Sequence, residues 1–486
     1  MTPPAAGGIR SGTPAGRWVL AATVLGSGMA FLDGTVVNVA LPAIGRDLDA
    51  GLSGLQWTLD AYLLTLGALL LLGGALGDRY GRRRLFEVGL VSFSIASALC
   101  GLAPNMGLLI AARAVQGIGG ALLVPASLAL LSASFAPDER GRAVGAWSGL
   151  AGAFSAIGPF LGGWLVDTAS WRWVFLINLP VAALTIWVVR AHVPESRSTV
   201  TGGQLDVAGA AAVTIGLGGV VFALIEGTAV GASPLVLVAA VVGVAALLAF
   251  PLVERSRAEP LVPLELFRSR QFSGANATTF AVYGAFAGAL FLFVLQLQQG
   301  MGYSALEAGS AMLPVTVLLL VLSAPAGRLG QRLGPRLPMT VGPLVAGAGL
   351  LLLSRVGPGG AYPTAVLPAV VVFGIGLALT VAPLTAAVMA AVEERHLGVG
   401  SGVNNAVARM GGLLSVALLP LVAGLRGVDP GTPAFAAGVS DALRISAAVC
   451  ALGGLVAFTS VRRSTPARPV SQPGMTLACN ELAVRR

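Results

Sequence analysis

Asp33, Asp60 and Arg113 are charged side chains that lie inside long apolar stretches of the sequence. A charge in hydrocarbon is costly, so an ionisable group at membrane depth is by default a candidate functional site. Asp33 lies in the first apolar stretch, within the segment FLDGTVVNVALP. Its carboxylate could bind and release a proton or pair with a cation. We therefore treat Asp33 as the first candidate for a proton or cation site.

Arg113 has a polar neighbour on the same helix face, because Gln116 follows it by three residues. An unpaired guanidinium at this depth would be strongly unfavourable, so we expect Arg113 to face a carboxylate or a water-filled cavity. The alternative is an arginine close enough to the membrane interface for its side chain to reach water.

Asp60 has two interpretations, and the sequence leaves both open. It follows Trp57 by three residues in the outer part of its apolar stretch. It could be a second cavity carboxylate, or an interfacial aspartate beside an aromatic belt. Glu226 and Arg409 are weaker candidates, and we expect both at the membrane interface.

The composition indicates a helical membrane protein. The 486 residues are 56% hydrophobic and only 10% charged, whereas soluble domains carry about a quarter charged residues. Aromatic residues make up 6% of the chain and 66 residues are glycine. This balance favours helices packed closely through small side chains over a barrel with aromatic girdles.

The sequence contains no recognisable enzyme motif. All 30 basic residues are arginine, so a nucleotide-binding loop with its lysine is excluded, and no HExxH segment is present. The three cysteines have no paired spacing, and the two histidines lie in polar loops. We therefore expect no catalytic residue, no metal and no cofactor. Any transport must be driven by an ion gradient.

Fourteen apolar stretches are long enough to span a bilayer, at about 20 residues each. Their approximate limits are 17–41, 55–76, 84–103, 107–131, 142–165, 171–190, 205–226, 233–253, 272–298, 307–326, 338–354, 363–391, 403–425 and 442–461. An even number places both termini on one side. That side carries 23 arginines and the other side 5, so the positive-inside rule places both termini in the cytoplasm of a cell-membrane protein. The net charge of +9 therefore reflects orientation and does not indicate nucleic-acid binding.

An internal repeat predicts two parallel halves. The segment GALGDRYG at 74–81 recurs as GRLGQRLG at 327–334, with Gln331 in place of Asp78. Such repeats are typical of transporters whose halves rock about a central site. We expect a six-helix bundle over 1–195, an inserted helix pair with linkers over 196–262, a second six-helix bundle over 263–462, and a disordered cytoplasmic tail over 463–486.

The segment GGALGDRYGRRR after the second span is the most specific motif. Its glycines recur every four residues and would let helix ends approach closely, and Asp78 could pair with an arginine or cap the next helix. We interpret it as a gating contact, and the alternative is a loop that only fixes topology. Its candidate residues are Gly74, Gly77, Asp78, Arg79, Gly81, Arg82 and Arg83.

The fifth span combines small residues with a proline. Gly158, Gly162 and Gly163 permit close packing, and Pro159 interrupts the backbone hydrogen-bond ladder. Close packing together with a bend is what a helix at a moving interface needs.

Together these segments resemble the fourteen-span drug:proton antiporters of the major facilitator superfamily, the QacA/EmrB type. The resemblance rests on LDGTVVNVALP, GGALGDRYGRRR, the stretch from Arg113 to Gly120, GPFLGG at 158–163 and WRWVFLINLP at 171–180. It implies an all-α major facilitator fold that exports lipophilic, often cationic drugs in exchange for protons. It also implies that Asp33 couples protons or binds substrate, that Arg113 relays protons, and that Asp78 belongs to a cytoplasmic gate.

We expect Asp33 to release a cationic substrate when it becomes protonated on the outer side. A dedicated exporter of one metabolite or self-made antibiotic would share every motif. A non-transporting receptor or scaffold has no reason to keep charges at membrane depth, and an importer fits the fifth span less well. The partners expected are a small lipophilic substrate, protons and the bilayer, with no nucleic acid, and the sequence leaves the oligomeric state open.

Overall fold

The computed structural model describes residues 9–463, apart from residues 11, 196–204, 258–259, 358 and 394–395. Fourteen helices in these described residues are long and apolar enough to cross a membrane. This confirms the predicted number of spans and the all-α fold. The helices are α1 Pro14–Asp47, α2 Leu52–Tyr80, α3 Arg82–Gly101, α4 Met106–Ser134, α5 Arg140–Thr168, α6 Trp173–His192, α7 Val207–Ala229, α8 Pro234–Arg255, α9 Arg270–Gly300, α10 Ala305–Leu333, α11 Arg336–Leu353, α12 Tyr362–Ala390, α13 Gly398–Val422 and α14 Pro433–Ser460.

Local sequence explains where many of these helices begin. A side-chain oxygen accepts a backbone N–H of the first turn in seven of them, which satisfies donors that a helix start leaves unbonded. The capping residues are Thr13, Asn105, Asp206, Ser233, Ser269, Ser304 and Thr432.

Four long helices in the described part of the chain contain an irregular turn, and α12 begins with one, the π turn at Tyr362–Val366. In α6 the helix is interrupted at Ile177, where Pro180 cannot donate to the carbonyl four residues earlier. In α10 it is interrupted at Met312, next to Pro314, and α9 ends in a π turn at Gln296–Gly300. The irregular turns in α9 and α10 lie toward the α9–α10 connection.

The two halves repeat the same helix packing. In the first half α1 packs on α5 and α6, while α2 and α3 pack on α4. In the second half α9 packs on α13 and α14, while α10 and α11 pack on α12. Each of these pairings recurs eight helices later in the chain, which is the arrangement expected of a parallel repeat.

The repeated sequence segments take the same shape in both halves. Gly81 has φ of 106° between α2 and α3, and Gly334 has φ of 80° after α10. These are left-handed conformations that glycine adopts without strain. The predicted limits of the second and third spans, 55–76 and 84–103, leave a longer gap than the structure has, because α2 continues through Tyr80 and α3 begins at Arg82. The polar residues of the motif extend the helices beyond the apolar stretch.

The inserted pair, α7 and α8, packs beside the seam between the halves. The two helices pack on each other, and α7 also contacts α2 and α13. The predicted domain limits stay predictions, and the segment 196–204 and the tail from 464 lie outside the described residues.

The halves are joined at one end of the bundle. One buried apolar cluster there combines residues of both halves, such as Val37 and Leu41 with Leu292 and Leu295. At the other end each half has its own cluster, around Phe86 in the first and Phe272 in the second. This second end carries the α2–α3 connection, and we call it the arginine-rich end. The end at which the shared cluster joins the halves is the arginine-poor end.

Candidate functional site

The structure brings Asp33 and Arg113 together. A terminal nitrogen of Arg113 on α4 donates to Asp33 Oδ2 on α1 at 2.5 Å. Both side chains are buried, at 1% and 0% exposure. The carboxylate expected beside Arg113 is therefore Asp33, and the alternative of an arginine reaching the interface is wrong.

Gln116 completes this buried cluster. Its amide nitrogen donates to Asp33 Oδ1 at 2.8 Å, and its oxygen accepts from Arg113 at 2.7 Å. The same amide nitrogen reaches Ser97 Oγ at 3.2 Å, and Asn178 donates to that hydroxyl at 3.0 Å. A hydrogen-bonded chain thus runs from α1 through α4 and α3 to α6.

Aromatic and backbone groups surround the guanidinium. The Nε atom of Arg113 donates to the Thr58 carbonyl at 2.9 Å. The ring of Tyr62 lies beneath the guanidinium, 4.3 Å from its central carbon, and the ring of Phe175 lies at 5.6 Å. Cation–π contacts of this kind are stronger when the cation is desolvated.

The cluster is electrically balanced in this conformation. Both oxygens of Asp33 accept hydrogen bonds, and Arg113 donates to three partners, which lie on α1, α2 and α4. Removing one partner of such a buried pair typically costs about 3–5 kcal/mol, because the other charge stays behind without compensation. Neutralising Asp33 would therefore leave the buried guanidinium of Arg113 without its counter-ion.

A cavity of about 330 Å³ lies between the two halves next to this cluster. Arg113 reaches the cavity wall, whereas Asp33 lies behind it and is not among the lining residues. The wall is formed by Phe31, Gly34, Thr35, Asn38, Leu59, Tyr62, Leu63, Arg113, Tyr283, Phe286, Ala287, Leu290, Asn405, Ala408, Arg409, Gly412 and Val416. The site is thus an aromatic and apolar chamber with a few polar groups, the usual character of a small-molecule site.

Arg409 faces this cavity from the second half, on α13. Its Nε donates to the Asn405 side-chain oxygen at 3.1 Å. The expectation of an interfacial Arg409 is wrong, because position 409 lies near the middle of α13 (Gly398–Val422). The apolar pattern of the sequence locates Arg409 within a span, but it does not show which face of the helix the side chain lies on.

Asp60 is fully buried and is not among the residues lining the cavity. It lies on α2 one turn after Gln56, whose amide donates to the Val416 carbonyl of α13 at 2.7 Å. One turn later Leu64 packs in a cluster with side chains of α7 and α13. Within the described part of the chain, neither carboxyl oxygen of Asp60 has a hydrogen-bond partner. In this conformation it is neither a cavity carboxylate nor an interfacial one.

Glu226 joins the inserted pair to the first half. Its carboxylate accepts from Trp57 Nε1 at 2.8 Å, which links α7 to α2. The contact holds the inserted pair against the first half, and Glu226 is not among the residues that line the central cavity.

The motif of α2 and α3 contains an exposed ion pair. Asp78 accepts from Arg82 at 2.9 and 2.7 Å, four residues along the chain. Asp78 does not cap α3, as one alternative had it. Glu195 does so, accepting from the backbone N–H groups of Arg83 and Arg84 at 3.1 and 3.2 Å.

The other charged residues of this motif fasten neighbouring helix ends. Arg83 donates to Glu87 at 3.0 Å and to the Val193 carbonyl at 2.9 Å. Arg79 lies over the ring of Tyr80, at 5.6 Å from its centre. This connects the α2–α3 corner to the end of α6.

The glycines of the motif differ in their surroundings. A Cβ at Gly73 would collide with the Ala121 carbonyl of α4, and one at Gly77 would meet Leu85 at an ordinary 3.5 Å. A Cβ at Gly74 would meet its nearest neighbour, Pro125, at 3.7 Å. Only Gly73 therefore requires glycine for close helix contact.

The α5 motif packs on two helices. Gly158 and Gly162 lie against Thr35 and Val36 of α1, too close to accept a Cβ. Gly163 lies against the Ala305 carbonyl at the start of α10, and Pro159 presents its carbonyl to Gly309 of that helix. The motif predicted for a moving interface thus lies between α1 and the second half.

Among the described residues, three polar contacts between the halves have no counterpart in the sequence predictions. Asp167 at the end of α5 accepts from the N–H groups of Ala305 and Leu306, at 3.2 and 2.8 Å. Gln298 of α9 donates to the Val39 carbonyl at 2.9 Å, and Gln56 reaches α13 as described. Polar residues near helix ends are common, so no sequence signal distinguishes these three.

Two repeated helix bundles around a central cavity, with a buried ion pair next to it, form the architecture of a membrane transporter. The chain belongs to the major facilitator superfamily, because the family model for the Major Facilitator Superfamily matches residues 23–416. The family resemblance predicted from the motifs is thereby confirmed, and the chain is not an enzyme.

Several curated relatives are similar over most of their length. The puromycin resistance protein of Streptomyces alboniger is 38% identical over 83% of this chain and 81% of its own. The methylenomycin A resistance protein of Bacillus subtilis is 37% identical over 83% of this chain and 87% of its own. The tetracenomycin C resistance and export protein of Streptomyces glaucescens is 34% identical over 82% of this chain and 74% of its own.

A solved structure shares the fold. It is the crystal structure of a bacterial homologue of the human lysosomal transporter Spinster, in an inward-facing and unoccupied conformation. It superposes with a TM-score of 0.67, at 18% identity, over 92% of this chain and 97% of that one. At this identity the likeness supports the fold alone.

Proposed function

We propose that this transporter exports lipophilic small molecules across the cytoplasmic membrane in exchange for protons. The observation that carries the proposal is the buried cluster of Asp33, Arg113 and Gln116, in which Arg113 lines the central cavity. Among the described residues Asp33 has Arg113 as its counter-ion, and Arg113 lies at the substrate chamber. Protonation of such a buried carboxylate can therefore be linked to the state of that chamber.

The coupling follows from the geometry. A protonated Asp33 no longer balances the charge of Arg113, so the guanidinium must find a new partner. Arg113 already lies at the cavity wall, and its movement would alter the chamber that holds the substrate. The loss of the proton would restore the pair and the original chamber.

An ordinary proton gradient supplies enough free energy for this exchange. Each pH unit contributes about 1.4 kcal/mol per proton, and 100 mV contributes about 2.3 kcal/mol per charge. Together they sustain a concentration ratio of several hundredfold for one proton per neutral substrate.

Alternating access requires one end of the bundle to open as the other closes. Here the arginine-poor end is joined by Asp167, Gln298 and a shared apolar cluster. The arginine excess assigns the other end to the cytoplasm, so this conformation faces inward with both termini in the cytoplasm. We assign the α2–α3 corner around Asp78 to the cytoplasmic gate and Gly158 to Gly163 to the moving interface.

The breadth of the substrate range separates two versions of this function. The relatives include resistance proteins named for one antibiotic and one named for multidrug resistance. Export of one compound or of a narrow set is therefore the second candidate. A growth-inhibition panel in a pump-deficient host distinguishes the two, because a dedicated exporter protects against one structural class only.

The deciding experiment measures transport in everted membrane vesicles with an imposed proton gradient. The test compares the wild-type protein with Asp33→Asn, which keeps the shape and removes the titratable charge. We expect substrate uptake that collapses with a protonophore in the wild type and is absent in the variant. Undiminished gradient-driven uptake by Asp33→Asn would refute the assignment.

A further inference from the structure

Among the described residues of the second half, Arg409 on α13 brings one charge to the central cavity, its guanidinium. It donates to a neutral partner, the side-chain oxygen of Asn405, at 3.1 Å. Among the residues that the structure describes, no carboxylate forms an ion pair with Arg409. A guanidinium has five N–H donors, so most of its bonding capacity is directed elsewhere.

The rest of the wall does not neutralise this charge. The lining residues include two arginines and no aspartate or glutamate. Arg113 is balanced by Asp33 behind it, and Arg409 is not. The chamber therefore carries an excess positive charge at membrane depth, where an unpaired charge is costly and a counter-ion binds strongly.

The apolar part of the wall limits what the counter-ion can be. Phe31 and Tyr62 come from the first half, and Tyr283 and Phe286 from the second. Aromatic side chains of this kind favour flat, apolar ligand surfaces. A hydrated inorganic anion would leave them without a partner, whereas an organic anion would use both features.

We propose that Arg409 selects lipophilic organic anions, with a carboxylate or phenolate oxygen bound by its guanidinium and an aromatic body held by the surrounding rings. Planar guanidinium groups bind carboxylates through two parallel hydrogen bonds. This inference rests on the proposed export function and specifies its substrate class. It departs from the cationic substrate that the family resemblance implies, because Asp33 is already paired with Arg113 and is shielded from the cavity.

The test measures binding without any gradient, using three probes that differ only in their polar end. These are 1-pyrenebutyrate, 1-pyrenebutanol and 1-pyrenebutylamine, which at pH 8 are anionic, neutral and cationic. Equilibrium dialysis of the purified full-length protein in detergent, against empty micelles, gives each dissociation constant. We expect the anion to bind at least tenfold more tightly than the cation.

Three variants assign the preference to one residue. Arg409→Gln should bring the three dissociation constants within about threefold, and Arg409→Lys should keep part of the anion preference. The matched control is Arg444→Gln, which removes an exposed arginine paired with Asp441 on α14 and should leave the preference intact. A folded protein is verified for each variant by size-exclusion chromatography.

Equal binding of the three probes, or tighter binding of the cation, would overturn the proposal. It would also be overturned if Asp60→Asn and Arg409→Gln had the same effect on the binding of all three probes. Arg409 would then act through Asp60 on α2 and not by binding the anion. A failure of proton coupling would not change these dissociation constants, so the two proposals fail independently.

Discussion

Arg113 and Asp33 form an ion pair at 2.5 Å between α4 and α1, and both side chains are almost fully buried. The pair is 80 residues apart in sequence, and Gln116 bonds to both members. Because each charge is the main compensation for the other, the two residues should respond to substitution as a unit.

The first prediction is a double-mutant cycle on this pair. Asp33→Asn or Arg113→Gln alone should lower the free energy of unfolding by about 3–5 kcal/mol, because each leaves a buried charge unpaired. The double variant should regain most of this loss, since no charge remains. Thermal unfolding in detergent measures stability, and gradient-driven transport should be absent in all three. Additive losses in the double variant would show that the residues act independently.

The second prediction concerns the close contact of α2 with α4. Gly73→Ala should destabilise the protein by about 1–3 kcal/mol, because the new methyl group collides with the Ala121 carbonyl. Gly74→Ala is the control, since its nearest neighbour, Pro125, lies at 3.7 Å from the added carbon. Thermal unfolding should separate the two variants clearly. Similar stability of both would contradict the close packing at Gly73.

The third prediction concerns the contact between α5 and α10. Gly163→Ala should weaken the joined end of the halves, because a Cβ there overlaps the Ala305 backbone. Transport should fall by about fivefold or more, since overpacking of 1–3 kcal/mol disfavours the state closed at that end. Gly152→Ala on the same helix, with nothing within 4 Å, should transport normally. The measurement is the initial rate of uptake in vesicles at matched expression.

The fourth prediction concerns Asp60, which is buried without a hydrogen-bond partner for either oxygen among the described residues. An unpaired ionised carboxylate would be costly there, so the site favours a neutral side chain. Asp60→Asn should therefore change the free energy of unfolding by about 1 kcal/mol or less, unlike Asp33→Asn. Equal destabilisation by the two substitutions would show that Asp60 has a charged partner.

The sequence predicted well what depends on local composition. Each apolar stretch produced a span, because its length matches the bilayer, and charges inside the stretches drew attention to Asp33 and Arg113. Their pairing could not be derived, because it depends on how α1 and α4 are rotated against each other. For the same reason the cavity-facing side of α13 was missed, and with it the importance of Arg409.

Helix ends were predicted less well. Apolar length sets the part of a helix inside the bilayer, whereas Asp78 and Arg79 lie beyond it and still continue α2 to Tyr80. Contacts such as that of Asp167 with α10 join residues more than a hundred positions apart. They appear only when the two halves are placed together.

The fifth prediction concerns this contact of Asp167. Its carboxylate accepts from the N–H groups of Ala305 and Leu306, which are orphan donors at the start of α10. It therefore caps a helix of the opposite half. Asp167→Ala should destabilise the closed arginine-poor end by about 0.5–2 kcal/mol, a shift of roughly two- to thirtyfold in the population open at that end.

The measurement uses a cysteine at position 38 of the central cavity, in a protein whose native cysteines are replaced by serine. A membrane-impermeant maleimide added to intact cells reaches Asn38→Cys only when the arginine-poor end is open. The labelling rate should be roughly two- to thirtyfold higher in Asp167→Ala, in proportion to the population open at that end. Asp441→Ala is the control, because Asp441 pairs with Arg444 within α14 and should leave the rate unchanged. An unchanged rate in Asp167→Ala would mean that the apolar cluster alone holds the halves together.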